Sequence, residues 1–269
     1  MERIDPGEVH VWRIPLDRDP GNVRRAAALI SPDEIERMLR FRFDVHRDRF
    51  ALRRAGLRIL LARYLDIEPD RVGFTFSPRG KPEIATPDGD PGLRFNLSDS
   101  ADLALVGIVR GRRIGVDVEH ARRVREMDSI ARRHFSPREY EEYLKSPPSG
   151  RTACFYNAWT RKEAYIKATG EGLACPLESF EVTMAPGEAA RLRSINGSAV
   201  EAARWSMHAF SPAPGVTAAV VIGGRHFTLQ HGCCTDAGRM PVAVGSENSL
   251  EPARAGVGPA STHDSRELA

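Results

Sequence analysis

Apolar positions recur along the chain with two different periods, which predicts a mixture of helices and short strands. From Val45 to Leu65 they recur every three or four residues, the spacing of one face of a helix. A second long helix is predicted from Thr152 to Thr169. Ser31-Pro32-Asp33-Glu34 and Ser136-Pro137-Arg138-Glu139 each place Ser at an N-cap, Pro after it and Glu at the third helical position. Each of these two segments therefore predicts the start of a shorter helix.

Short apolar or alternating runs between the helices predict strands. Arg110-Gly111-Arg112-Arg113 is typical of a turn, so the two runs beside it, Leu103–Val109 and Ile114–Val118, are predicted to form a hairpin. The other predicted strands are Val9–Ile14, Gly73–Phe76, Leu93–Asn96, Phe180–Met184, Trp205–Phe210, Val216–Ile222 and His226–Gln230.

Helices followed by short strands occur twice along the chain, which predicts an α+β fold of two similar α/β halves related by pseudo-twofold symmetry. We expect an N-terminal half over residues 1–112 and a C-terminal half over residues 113–231. The segment 232–269 is predicted to be a disordered tail. From Cys233 onward it contains no aromatic residue and few aliphatic ones, too little to offset the entropy of ordering.

Composition narrows the function classes. The chain has 269 residues, of which 41% are hydrophobic, yet no run approaches the roughly 18 apolar residues of a membrane span. A formal net charge of +3 is too nearly balanced for a protein whose whole surface follows a nucleic-acid backbone. The four cysteines lack C-x-x-C spacing, so neither a zinc site nor a disulfide framework is expected. We therefore expect a cytoplasmic protein with no nucleic-acid or membrane partner.

The predicted strand from Ile114 carries two acidic residues on one face. Alternation by two turns Val116 toward the core and places Asp117 and Glu119 together, with Cβ atoms roughly 6.5 to 7 Å apart. Two carboxylates at that separation can bind one divalent cation. The alternative is a half-buried strand whose acidic face is solvated.

The second long helix carries a carboxylate close to its apolar stripe. With 100° per residue, Glu163 lies about 40° from Trp159, and Lys167 lies one turn beyond Glu163. An ionised carboxylate in that position needs a cation or hydrogen bonds to compensate its burial. The alternative is a Glu–Lys pair on an ordinary helix surface.

Two of these segments resemble the paired signature of the 4′-phosphopantetheinyl transferases. GVDVE at 115–119 is followed about 40 residues later by WTRKEAYIKATGEGL at 159–173. RGKP at 79–82, FNLSDS at 95–100 and ARRHFSPREY at 131–140 are further matches, so that the resemblance spans roughly residues 30 to 222. The two halves resemble the larger, surfactin-synthetase-activating type of the family.

The resemblance implies transfer of 4′-phosphopantetheine from coenzyme A to a serine of an acyl or peptidyl carrier protein, with release of adenosine 3′,5′-bisphosphate. It implies a Mg²⁺ ion held by Asp117, Glu119 and Glu163. Glu163 would accept the proton of the serine, and Lys167 would neutralise the charge that develops on the leaving group. Asp117 and Lys167 would thereby also bind the coenzyme.

The resemblance also implies a basic cleft for coenzyme A. By position it points to the long first-half helix, the RGKP loop and the FNLSDS segment, that is, to Arg47, Arg54, Arg79, Lys81 and Ser98. One residue departs from the family pattern: Asp99 stands where the family usually has His. Neighbouring arginines could hold the 3′-phosphate instead, Asp99 could pair with one of them, or coenzyme A could bind more weakly.

The sequence leaves a second activity open. A Mg²⁺-dependent nuclease is the alternative, because three acids with a lysine and arginine-rich helices could also grip phosphates. Polyketide or nonribosomal peptide biosynthesis is the expected context, and two fused halves favour a monomer.

Only four of the 39 basic residues are Lys, and three of them, Lys81, Lys162 and Lys167, fall in the matching motifs, whereas Lys145 does not. We expect those three positions to require a compact ammonium group.

Overall fold

One order of elements occurs twice in the protein. The computed structural model describes residues 2–86, 89–234 and 242–248. The first repeat consists of β1 (Glu8–Pro15), α1 (Pro20–Ala27), α2 (Pro32–Leu39), α3 (Asp44–Leu65), β2 (Gly73–Phe76), β3 (Pro82–Ala85), β4 (Leu93–Ser100) and β5 (Leu103–Arg110). The second consists of β6 (Ile114–His120), α4 (Met127–His134), α5 (Pro137–Lys145), α6 (Arg151–Thr169), β7 (Phe180–Val182), β8 (Leu192–Ile195), a short α7 (Ala199–Ala202), β9 (Trp205–Phe210) and β10 (Val216–Gly223). This repetition confirms the predicted α+β fold of two similar halves.

The strands form two larger sheets and two hairpins. In each repeat the first strand pairs antiparallel with the last, β1 with β5 and β6 with β10. The second sheet has the order β6-β10-β9, and β2–β3 and β7–β8 are separate hairpins. After the second repeat the chain returns to the first sheet through β11 (Thr228–Cys233), which is parallel to β1, and β12 (Val242–Asn248). The division of the chain at residue 112 stays a prediction.

The predicted hairpin of Leu103–Val109 with Ile114–Val118 is wrong. β5 pairs with β1 and β4, whereas β6 pairs with β10 in the other sheet. β6 lies across the face of β5: a Cβ atom at Gly107 would come within 2.6 Å of Val116 Cγ1. β5 is almost wholly apolar, and β6 has one apolar face formed by Ile114, Val116 and Val118, so packing these faces together buries more apolar surface than pairing at the strand edges.

Alternation of side chains divides the structure into four layers. Odd-numbered residues of β1 and β5, such as Val11 and Leu105, pack against Val116 and Val220 of the second sheet. The opposite face of the first sheet packs on α3. The opposite face of the second sheet, which includes Val221, packs on α6. The layers are therefore helix, sheet, sheet and helix, and the odd-numbered residues of β6 face α6.

Each repeat contains a buried ion pair that links a capping box to a long helix. Ser136 is the N-cap of α5, and Glu139 accepts a hydrogen bond from its backbone nitrogen, as predicted. Glu139 also binds Lys162 of α6 at 2.7 Å, and both side chains are 0% exposed. The Lys162 ammonium further donates to the carbonyl oxygens of Leu177 and Phe180 at 2.8 and 2.6 Å. One carboxylate and one ammonium thus join α5, α6 and the start of β7.

The first repeat uses arginine at the corresponding place. Ser31 is the N-cap of α2, and Glu34 binds both Arg54 and Arg58 of α3. Arg58 also donates to the carbonyl oxygen of Val72, just before β2. The two repeats therefore share this internal link as well as their order of elements.

The segment 232–269 contributes structure where it is described. β11 runs to Cys233, Cys234 is buried, and residues 242–248 pair antiparallel with β11. The remaining positions of the predicted disordered tail, 235–241 and 249–269, lie outside the described residues. Within the described ranges, no helix combines the length and apolar character needed to cross a membrane.

Replacing Glu139 by Gln should destabilise the fold strongly. Lys162 would lose the charge that compensates its burial, which costs about 3 kcal/mol or more of unfolding free energy. Urea unfolding followed by circular dichroism measures the loss. Glu141→Gln on the same helix is the matched control, because the Glu141–Lys145 pair is exposed and should contribute little. Equal unfolding midpoints for the two variants would contradict the role assigned to Glu139.

Candidate active site

The candidate site lies between β6 and α6, which approach each other closely at Gly115. A Cβ atom at this position would lie 2.0 Å from the carbonyl oxygen of Ala164 and 2.3 Å from the nitrogen of Ala168. Only glycine allows the strand to reach the helix backbone at this distance. The acidic face of β6 is therefore covered by α6 and is not the solvated face that was the alternative.

Asp117 is the most buried acid of the site. Its side chain is 5% exposed, and its Oδ1 atom accepts hydrogen bonds from Lys167 Nζ at 2.6 Å and Ser98 Oγ at 2.9 Å. Lys167 Nζ also donates to Ser98 Oγ at 2.8 Å, which closes a triangle of three polar groups. The Oδ2 atom of Asp117 is buried without a hydrogen-bond partner among the described residues.

Glu119 and Glu163 complete an acidic cleft around Asp117. Glu119 Oε2 accepts a hydrogen bond from Ser100 Oγ at 2.8 Å, whereas no described residue donates a hydrogen bond to Glu163. A cavity of about 350 Å³ is lined by Leu97, Ser98, Asp99, Asp117, Glu119, Trp159, Glu163 and Lys167. The structure thus brings together all the residues that the sequence assigned to catalysis and metal binding.

Burial raises the pKa of all three carboxyl groups. At Asp117 the burial outweighs the opposing effects of Lys167 and Ser98 on the pKa. At Glu119 burial is opposed by the Ser100 hydrogen bond and reinforced by the charge of Asp117. At Glu163 the charge of Asp117 adds to burial, and Lys167 opposes them. One ammonium group therefore compensates three carboxylates incompletely, and the cleft favours a further cation.

The acids do not yet form a closed set of metal ligands. Among residues 2–86, 89–234 and 242–248, no three His, Cys, Asp or Glu side chains are close enough to count as a metal-binding group. Lys167 donates a hydrogen bond to Asp117 Oδ1, so this oxygen is already occupied by an ammonium group. The unpartnered Asp117 Oδ2 and the excess negative charge nevertheless fit a hard divalent cation, which prefers carboxylate oxygens.

Sequence reasoning missed two residues of β4 that support the acidic strand. Asn96 Oδ1 accepts a hydrogen bond from the backbone nitrogen of Val116, and Ser100 Oγ accepts one from that of His120. With Ser98 they form a row of polar side chains, all at even positions of β4. The period-two alternation of Asn, Ser and Ser in FNLSDS was the signal that could have identified all three.

The four basic residues predicted for the coenzyme A cleft, Arg47, Arg54, Arg79 and Lys81, lie outside the acidic cavity. Arg47 donates to Asp44 and to the carbonyl oxygen of Phe41, and Arg54 pairs with Glu34. Arg79 donates to the carbonyl oxygen of Glu171, and Lys81 donates to two other carbonyl oxygens. Of the five residues predicted for this cleft, Ser98 alone lines the acidic cavity.

Asp99 forms an ion pair with Arg53 of α3. This is one of the three arrangements left open by the sequence, in which Asp99 pairs with an arginine of the long helix. Both side chains are less than half exposed, and Asp99 also lines the acidic cavity. The pair therefore links the edge of the cleft to α3.

Comparisons with known proteins identify a family of relatives. Residues 113–221 match the family model of the 4′-phosphopantetheinyl transferase superfamily. The 4′-phosphopantetheinyl transferase HetI of Nostoc sp. (strain PCC 7120) is 42% identical over 217 residues, covering 81% of this chain and 88% of HetI. The 4′-phosphopantetheinyl transferase Sfp of Bacillus subtilis (strain 168) is 32% identical over 170 residues, covering 63% of this chain and 72% of Sfp. A crystal structure of Thermotoga maritima holo-[acyl-carrier-protein] synthase has a TM-score of 0.33 and 20% identity, covering 42% of this chain and 64% of that one.

The chain therefore belongs to the 4′-phosphopantetheinyl transferase superfamily. Its activity is the transfer of 4′-phosphopantetheine from coenzyme A to a serine of a carrier protein. This confirms the family and the activity expected from GVDVE and WTRKEAYIKATGEGL. None of the relatives named above is a nuclease.

Replacing Gly115 by Ala should impair transfer. The new methyl group would push β6 away from α6 and separate Asp117 from Lys167, and a displacement of this kind costs about 10²-fold in rate. Steady-state transfer to an apo carrier domain, together with a thermal unfolding curve, measures the effect. Gly7→Ala is the matched control, because a Cβ atom there would meet nothing within 4 Å. Full activity of Gly115→Ala would show that the close contact is not required.

Proposed function

We propose that transfer takes place in the acidic cleft between β6 and α6, with Mg²⁺ held by Asp117, Glu119 and Glu163. The carrying observation is the buried, unpartnered Oδ2 atom of Asp117 beside two further carboxylates. Such an atom is costly to bury unless a cation or a donor approaches it. Bound Mg²⁺ would neutralise the pyrophosphate of coenzyme A and increase the acidity of the attacking hydroxyl group.

Glu163 is proposed as the group that accepts the proton of the carrier serine. Asp117 and Glu119 each receive hydrogen bonds from side chains of β4, whereas Glu163 receives none from the described residues. Glu163 is thus the carboxylate best able to take a proton.

Lys167 is proposed to neutralise the charge on the leaving adenosine 3′,5′-bisphosphate. Its ammonium group has three N–H donors, of which Asp117 and Ser98 use two. Its side chain is 28% exposed, so the third donor can reach a group that enters the cleft. The same residue therefore holds Asp117 in place and presents positive charge to the substrate.

Arg47, Arg54, Arg79 and Ser98 remain the proposed contacts of coenzyme A, with Lys81 considered separately below. Ser98 is already in the cleft, and Arg79 is exposed on the loop before β3. Arg54 is the residue most firmly held elsewhere, by Glu34 and by the Phe74 ring. Its contribution would thus be mainly to the positive potential of α3.

A monomer in the cytoplasm completes the proposal. Ser98 and Ser100 come from the first repeat, whereas the three acids and Lys167 come from the second, so one chain supplies the whole cleft. None of the four cysteines, all of which lie in the described part of the chain, forms a disulfide bond, as is usual in a reducing compartment. Carrier proteins of polyketide and nonribosomal peptide biosynthesis are the proposed acceptors, and no nucleic-acid or membrane partner is proposed.

Incubation with coenzyme A, Mg²⁺ and an apo carrier domain tests the proposal directly. The intact mass of the carrier should rise by one phosphopantetheine group, and chelation of Mg²⁺ should prevent the rise. No gain of mass with the native protein would overturn the proposed function. Transfer that persists undiminished after chelation would overturn the metal assignment alone.

Replacing Glu163 by Gln should lower transfer by about 10²- to 10⁴-fold, the usual contribution of a general base. The fold should be unaffected, because Glu163 accepts no hydrogen bond from the described residues and its neutralisation relieves repulsion from Asp117. The assay follows carrier mass against time, with circular dichroism as the check on folding. Glu141→Gln, an exposed change on α5, is the control. Near-native turnover of Glu163→Gln would refute its role as base and metal ligand.

Replacing Asp99 by His should preserve transfer and lower the KM for coenzyme A. The change removes a negative charge from the cavity and releases Arg53, so that the new imidazole and α3 can both offer donors to a phosphate. Initial rates at varied coenzyme A concentration measure KM. Arg53→Met separates the two effects, because it breaks the same pair without supplying a donor. A raised KM in Asp99→His would contradict the idea that Asp99 weakens the binding of coenzyme A.

A further inference from the structure

We infer that Lys81 is a positioning residue that holds β6 against the C-terminal end of α6, and is not a ligand of coenzyme A. The inference rests on the proposed function, since the groups it positions are Asp117 and Lys167. It concerns the lysine of the RGKP motif, which the family resemblance assigns to coenzyme binding.

The backbone of the RGKP loop fixes the place from which Lys81 extends. Ser77 and Lys81 exchange hydrogen bonds: the Ser77 nitrogen donates to the Lys81 carbonyl at 2.9 Å, and the Lys81 nitrogen donates to Ser77 Oγ at 3.0 Å. The Gly80 nitrogen donates to the Ser77 carbonyl at 2.8 Å, and Gly80 has φ +81°. The loop is therefore a closed turn that requires glycine at residue 80.

From this turn the Lys81 side chain reaches the backbone of two other elements. Its Nζ atom donates to the carbonyl oxygen of Lys167 at 2.6 Å and to that of Ile114 at 2.9 Å. Lys167 lies in the last turn of α6, where carbonyl groups lack a helical N–H partner. Ile114 begins β6, three residues before Asp117. One ammonium group thus joins the strand that carries Asp117 to the helix residue that pairs with Asp117.

The contact suits lysine and excludes arginine. Two carbonyl oxygens converge on a single nitrogen atom, and an ammonium group can donate to both from one point. A guanidinium group distributes its donors over three nitrogens in a plane and matches phosphate better than convergent carbonyls.

Burial and hydrogen bonding distinguish Lys81 from a phosphate-binding lysine, although the charge of Arg113 also acts on it. Burial lowers its pKa to about 8, and Glu83, which raises the pKa, does not restore it. Two of its three N–H groups are already used by backbone carbonyls, even though the side chain is only partly buried. Lys81 therefore acts mainly as a hydrogen-bond donor to backbone carbonyl groups.

Lys81→Arg and Lys81→Met separate positioning from coenzyme binding. If Lys81 positions β6 and α6, both variants should lose about 10- to 100-fold in kcat, with the KM for coenzyme A within about twofold of the native value. If Lys81 bound phosphate, Lys81→Arg would retain activity and Lys81→Met would raise KM. Lys145→Arg and Lys145→Met are matched controls, because Lys145 is exposed and pairs with Glu141 of its own helix.

Two further measurements do not need transfer activity. Calorimetric binding of adenosine 3′,5′-bisphosphate should be unchanged in Lys81→Met, whereas hydrogen exchange of the amides at residues 114–116 and 168–171 should increase. Native-like kcat in Lys81→Arg, weakened binding of the bisphosphate by Lys81→Met, or unchanged hydrogen exchange would each overturn the inference. If Lys81→Met does not fold, Lys81→Gln is measured in the same way. Absence of transfer by the native protein would instead refute the proposed function, and the exchange result would still decide the role of Lys81.

Discussion

The open edge of β6 is the constraint on which the proposed active site depends. Among the described strands, β6 pairs with β10 on one side only, so the backbone groups at its other edge need partners from elsewhere. Side chains of the first repeat supply them: Lys81 binds the Ile114 carbonyl, Asn96 the Val116 nitrogen and Ser100 the His120 nitrogen. The strand that carries the acids is thereby held at the junction of the two repeats, and each repeat supplies part of the cleft.

The scarcity of lysine in the chain has a geometric explanation at three positions. The ammonium groups of Lys81, Lys162 and Lys167 each donate to two or three oxygen atoms that converge on one nitrogen. Lys145 instead forms a single exposed pair along its own helix. A chain that otherwise uses arginine thus keeps lysine where acceptors meet at a point. The expectation of a compact ammonium at the three motif positions agrees with these contacts, although the roles differ: Lys162 supports the fold, whereas Lys167 faces the cleft.

The local pattern of apolar residues predicted most helices and strands. It also predicted which faces of β6 and α6 carry the proposed site residues, because helix and strand periods are properties of neighbouring residues. Asp117 and Glu119 share the face opposite Val116, and Ser31 and Ser136 begin helices, as predicted. Strand pairing was less accessible. β5 and β6 are adjacent in sequence and each has an apolar face, yet they lie in different sheets and pack face to face, since the pairing of β6 depends on β10, about 100 residues away. The short strand β3 was also missed, because its turn-rich surroundings carry little periodicity.

The asymmetry between the repeats explains why the acidic cleft forms beside β6 and not beside β1. β1 and β6 occupy equivalent positions, and each pairs with the last strand of its repeat. The other edge of β1 is occupied by β11, which pairs with it in parallel over residues Glu8 to Arg13. A strand at that edge satisfies the backbone of β1 and leaves no room for polar side chains to approach it. At β6 the same place is filled by Lys81, Asn96, Ser98 and Ser100, and their hydrogen bonds reach both the backbone and the carboxylates. The return of the chain to the first sheet thus pairs the free edge of β1, whereas the unpaired edge of β6 borders the acidic cleft that is proposed as the site of transfer.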